Sequence, residues 1–182
     1  MLTRKIIAGP IKNLTDARYF AAWMVDFMSF DLRANSTAYI GPERIKEIVE
    51  WVEGPLILGD ISGHSDPSII FEFKDVLGLD GFISDDASIL YSLQSYSQHL
   101  FFKAKSFEKF DSDIQVICST SQIDPYTNAG HEVYLRMEDV GLDNLLKFDD
   151  DSIGLQIEGG EEIKIGLKTF EELDTIFEKI EE

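Results

Sequence analysis

Cys118 is the only cysteine among 182 residues. That excludes an intrachain disulfide and any metal site built on several cysteines, and a reducing cytoplasm is the expected compartment. Positive charge is scarce as well: 16 Lys and Arg stand against 34 Asp and Glu, a net charge of −18. The deficit is uneven, with 15 acids and 4 bases in residues 138–182 and 19 acids and 12 bases before them. A field of this sign repels phosphate backbones and anionic lipid, so neither nucleic acid nor a membrane surface is an expected partner. No run of about 18 apolar residues is present to span a bilayer. Met1-Leu2-Thr3-Arg4-Lys5 lacks an apolar segment followed by a small-residue cleavage site, so no signal peptide is expected. Repeats, low-complexity stretches and long linkers are missing too.

What remains is the balance of an ordinary globular protein, 44% hydrophobic and 27% charged, with a length that suits one domain over residues 1–182 and is too short for two comfortable ones. Short β-branched or aromatic runs alternate with helical stripes. The pattern predicts strands over Arg4–Ala8, Val25–Phe30, Pro55–Ile61, Gly81–Ser84, His99–Ala104, Ile114–Ser119, Glu132–Arg136 and Ile153–Ile157. Helices are predicted from about Thr15, taken as an N-cap, from Gly41-Pro42, from Asp66-Pro67, over Ala87–Tyr96, over Val140–Phe148, and at the end with Phe170, Leu173, Ile176, Phe177 and Ile180 on one face. Ser106–Phe110 leaves room for barely one turn, and Thr120–Gly130, with Asp124-Pro125 and Asn128, reads as loop.

Eight strands alternating with helices predict an α/β fold: a compact, parallel (β/α)8 TIM barrel with reduced helices in units five and six. A doubly wound open sheet is the alternative, but its G-x-G-x-x-G fingerprint does not follow the first strand.

Several segments bear a family likeness. Gly9 followed by Asn13-Leu14-Thr15-Asp16-Ala17-Arg18, then Ser36-Thr37-Ala38-Tyr39-Ile40 with Pro42-Glu43 behind it, and finally Gly154-Leu155-Gln156-Ile157-Glu158-Gly159-Gly160-Glu161 with Ile165-Gly166-Leu167-Lys168 keep one order from end to end. Together they resemble the phosphoribosylanthranilate isomerase family of tryptophan biosynthesis. The match is clear in the first 45 residues and the last 30 and thin between. The resemblance implies a TIM barrel, an intramolecular aldose–ketose (Amadori) isomerisation, no cofactor and no metal, and a small phosphorylated or anionic metabolite as partner of a monomer or homodimer.

The same resemblance exposes departures. The family's general base is a cysteine where Ala8 stands, and its general acid an aspartate at the end of strand six, near Ser119. The arginine of its S-P-R segment is replaced by Ala38. The glycine loops after strands six and seven have no counterpart, and of the phosphate loops only Gly159-Gly160 survives, flanked by Glu158, Glu161 and Glu162. Acid–base help contributes roughly 10²–10⁴-fold per group, so little isomerase activity is expected.

In a barrel the working groups lie at the C-terminal strand ends. Candidates there are Asp31 and Arg33, Asp60 and His64, Ser84, Asp85 and Asp86, Lys103 or Lys105, Cys118 or Ser119, and Arg136. Asp60 and His64 are close enough in sequence for a carboxylate–imidazole pair, and Cys118 with His64 for a thiolate nucleophile. Against these stand the ordinary roles of a solvated loop histidine and a buried small hydrophobe. Asp85 or Asp86 serves as a helix N-cap or, with Asp60, as a cation ligand. Arg33, Arg136, Gly159 and Gly160 are the anion-binding candidates. His99 opens its strand and His131 precedes its own, so both belong on the opposite face. Three readings stay open: a barrel that has lost the isomerase reaction and binds a ligand or regulates, an enzyme with different chemistry, and an active isomerase using displaced residues.

Overall fold

The apolar runs bounded by glycine and proline form strands because a parallel sheet covered on both faces needs them apolar throughout. A computed structural model describes residues 2–64, 66–111, 113–137, 150–159, 162–164, 167–168 and 170–181. The helix predicted over Val140–Phe148 lies outside the described residues, as does Gly160. Eight parallel strands close into a barrel in chain order: β1 (Ile6–Ala8), β2 (Phe27–Asp31), β3 (Leu56–Asp60), β4 (Gly81–Ser84), β5 (His99–Lys103), β6 (Gln115–Cys118), β7 (Val133–Arg136) and β8 (Gly154–Ile157). Closure sets Ile7 beside Gln156 and Ala8 beside Ile157. The described helices are α1 (Leu14–Ala22), α2 (Pro42–Val49), α3 (Pro67–Leu77), α4 (Ala87–Leu93), α5 (Ile123–Asn128) and α6 (Glu171–Lys179).

Successive side chains of a strand point to opposite faces, and the core accordingly has two layers. Seven strands each send one residue inward: Ile7, Phe27, Leu58, Ile83, Phe101, Ile117 and Tyr134. The rings of Phe27, Phe101 and Tyr134 meet edge to face, 5.2 and 5.3 Å apart. The eighth strand contributes Gly154, where a β-carbon would lie 2.5 Å from the Tyr134 ring. The outer layer, between strands and helices, holds Ile6, Ala8, Met28, Phe30, Cys118 and the inward stripes of the helices. Near the closure Tyr19 stacks on Phe170 at 3.9 Å, Trp23 stacks on Phe177 at 5.0 Å, and the Tyr19 hydroxyl donates to Asp174.

Three local expectations are corrected. The N-cap of α1 is Asn13, not Thr15: its Oδ1 accepts from the Asp16 amide at 2.9 Å while its Nδ2 donates to the Asp16 carboxylate. Within Thr120–Gly130, read as loop, Thr120–Asn128 is helical, with a 3-10 turn at Thr120–Gln122 leading into α5. Pro125 is tolerated because it falls in the first turn of α5, where a backbone N–H has no partner within the helix. Unit six is thus reduced, and between β5 and β6 the described residues hold no helix at all. The third difference follows β8, where β9 (Glu162–Lys164) and β10 (Leu167–Lys168) form an antiparallel pair that the sequence pattern does not announce.

The inner layer predicts its own test. Phe101→Ala removes a fully buried ring that two other aromatic rings abut. It should lower the unfolding free energy by about 3–5 kcal/mol, read from urea denaturation followed by circular dichroism.

Candidate functional site

One turn above the inner layer, the strands end in polar residues around a cavity of about 170 Å³. Asp31 and Asp60 are register partners at the ends of β2 and β3, and the same parity brings Ser29 from β2, Lys103 from β5 and Gln156 from β8 to the cavity wall. Its charged lining is balanced: Lys12, Arg33 and Lys103 against Asp31, Asp60 and Glu158.

Asp31 is saturated. Its Oδ1 accepts from the Arg33 amide and Nε, and its Oδ2 from Arg33 Nη2 and the Ser36 hydroxyl at 2.6 Å. Burial alone would raise this carboxyl; the hydrogen bonds from Arg33 and Ser36 outweigh it and hold Asp31 below the usual carboxylate range. Arg33 is raised in turn by Asp31, against the opposing effect of burial. Asp60 is held differently. Its Oδ1 accepts from the Ser62 amide at 2.9 Å, while its Oδ2 lies 3.6 Å from Lys103 Nζ and 4.0 Å from Arg33 Nη2.

The other sequence candidates disperse. Ala8 is fully buried with the outer layer, so its methyl faces the helices. The position that turns toward the mouth after Ile7 is Gly9, which must be glycine: φ is +140°, and a β-carbon would sit 2.6 Å from the Ser29 carbonyl oxygen. Cys118 is fully buried in the same outer layer, away from His64. Ser119 gives its hydroxyl to the Gln122 side chain, which also accepts the Ser119 amide. His64 does not pair with Asp60; its Nε2 meets the Leu32 carbonyl at 3.2 Å. His64 lines a neighbouring cleft of about 480 Å³ with Arg33, Ser62 and Asp85.

Asp85 pairs with Lys105 at 2.7 Å and accepts from the Gly63 amide; burial would raise its carboxyl, and these contacts hold it low. Asp86 caps α4 by accepting from the Ser88 amide. No group of three or more His, Cys, Asp or Glu gathers as a metal site among the described residues. Arg136 ends β7 with Nη2 directed at the Ala104 carbonyl. Gly159 follows Glu158 on the rim beyond β8. Ala38, in the Ser36 turn, lines the cavity. His131 is buried, its Nδ1 against the Ile114 carbonyl, and His99 lies edge-on to Phe27 near the opposite end.

Gln156, Ser29 and Ser62 escape the sequence reading. For Ser29 and Gln156 the signal is parity: each lies two places beyond an inward position, Phe27 or Gly154, near the C-terminal end of its strand, and so belongs to the mouth.

The sequence matches no protein-family model and no curated relative. Solved structures do match it. The phosphoribosylanthranilate isomerase from Thermus thermophilus superposes with a TM-score of 0.76 at 16% identity, over 97% of each chain. The chain has the fold of that isomerase. A structure of generated monomers of the dimeric phosphoribosylanthranilate isomerase from Thermotoga maritima gives 0.76 at 17% identity over 99% of this chain and 98% of the other. A phosphoribosylanthranilate isomerase in complex with reduced 1-(o-carboxyphenylamino)-1-deoxyribulose 5-phosphate gives 0.75 at 19% over the same shares. No described helix is long and apolar enough to cross a membrane.

The Asp31–Arg33 pair predicts a pH dependence. A carboxyl held low when folded contributes stability that is complete above its unfolded pKa of about 3.9 and is lost as pH falls through the folded value. Asp31→Asn should therefore destabilise at pH 7 by about 1.5–3 kcal/mol. The mutant and the wild type should converge as pH falls below about 3.9, in urea titrations run at a series of pH values.

Proposed function

We propose that this chain is a divergent relative of phosphoribosylanthranilate isomerase whose barrel no longer carries out that isomerisation and instead holds a small ligand at its mouth. Collinear motifs from Gly9 to Lys168 support the kinship, together with the common fold over nearly the whole length. One observation carries the loss of activity: where the resemblance puts base and acid, the strand ends offer none. At the end of β1 the Ala8 methyl is turned into the helix layer and Gly9 has no side chain. Beyond β6 the Ser119 hydroxyl is engaged by Gln122.

The reaction needs one group to remove a proton from the sugar C2 and another to protonate the ring oxygen as the ribose opens. Asp60 and Lys103 are ionisable, but they occupy β3 and β5, and a displacement of about an ångström costs 100-fold in such chemistry. A phosphate at Gly159 would also stand beside Glu158, whose charge opposes it.

The purified protein should leave phosphoribosylanthranilate unconverted. Substrate fluorescence should decay no faster than with a heat-killed control. Turnover above that control would overturn the proposal.

A further inference from the structure

The mouth holds more polar valence than it uses. The Gln156 amide, 7% exposed, makes no hydrogen bond among the described residues, and neither does the Ser29 hydroxyl, 2% exposed. In the adjoining cleft the buried Ser62 hydroxyl has no hydrogen-bond partner among the described residues. Among the described residues Lys103 Nζ makes a 3.6 Å ion pair with Asp60 Oδ2, too long for a hydrogen bond, and no other polar contact. Buried polar atoms are almost always satisfied, and leaving one unsatisfied costs about 1–3 kcal/mol. The Ser62 hydroxyl, just beyond β3, is such an atom, while Gln156, Ser29 and Lys103, from β8, β2 and β5, line one cavity with hydrogen-bonding capacity to spare.

The chemistry of the lining selects the ligand. Its three cations and three carboxylates cancel, so it offers no net attraction to an anion. Asp60 and Lys103 face each other across a gap, and a charged group entering it would meet one like charge. A hydroxyl suits both sides, donating to the carboxylate and accepting from the ammonium. The amide and the serine hydroxyl each donate and accept. At ~30 Å³ per water, 170 Å³ has room for about five or six waters, the size of a tetritol or a pentose.

We infer that the barrel mouth binds a small, uncharged polyhydroxy compound, with its hydroxyls bridging Asp60 and Lys103 and engaging Gln156 and Ser29. This rests on the proposed loss of isomerisation and adds that the ligand carries no phosphate.

The test is calorimetric titration of the full chain at pH 7 with erythritol, D-ribose, D-ribose 5-phosphate, inorganic phosphate and glycine. Erythritol or D-ribose should bind at least tenfold more tightly than the phosphates or glycine. Gln156→Leu and Lys103→Met should each weaken that binding at least tenfold. Gln156→Leu should also leave the thermal midpoint unchanged or raised, because it removes an amide that makes no hydrogen bond among the described residues. Tighter binding of either phosphate or of glycine, no binding of either neutral compound, or variants that bind as the wild type does would each overturn the inference. None of these outcomes restores isomerase activity, so the proposal on function falls only by its own fluorescence assay.

Discussion

Closure of the sheet is the constraint from which the rest follows. Once β8 hydrogen-bonds to β1, with the Gly9 amide on the Ile157 carbonyl and the Leu155 amide on the Lys5 carbonyl, no strand of the barrel has a free edge and every residue of those strands must face either the barrel axis or the helices. The inward residues fill the axis with one aliphatic or aromatic side chain from each of seven strands. Because that layer is packed solid, the next inward positions can only form a shallow, polar rim. The chemistry of the mouth is thus decided by parity: Asp31, Asp60, Lys103 and Gln156 share it, while Ala8 and Cys118 are turned away.

Much of this is legible in the sequence. All eight strands are visible because short β-branched and aromatic runs alternate with helical stripes, and buried parallel strands leave a continuous apolar trace. The helix of unit six is hidden because Pro125 and Asn128 read as breakers, although the first turn of a helix accepts proline and its last residue accepts asparagine. The β9–β10 pair is hidden in a charged, glycine-bearing segment with no alternation long enough to register.

The candidate site is legible by region but not by partner. Strand ends reveal which residues crowd the mouth. Which carboxylate takes Arg33, and whether His64 meets Asp60 or the Leu32 carbonyl, depends on loop geometry that no spacing encodes. Collinearity with a family also aligns letters rather than directions. Ala8 occupies the family's place in the string, yet the chain turns its methyl outward and presents Gly9 instead. The net charge misleads in a similar way: a chain at −18 carries a mouth whose own charges cancel.

The pairing of Ile7 with Gln156 has a consequence during synthesis. The strand made first finds one neighbour soon, in β2, but its other neighbour is made almost last. Until then its second row of amides and carbonyls stays open on a ribosome-bound chain, a template for any passing strand. Contacts so distant along the chain make folding slow. The residues made before 138 already carry 19 acids against 12 bases, and that like charge keeps such half-made barrels apart while they wait for the last strand.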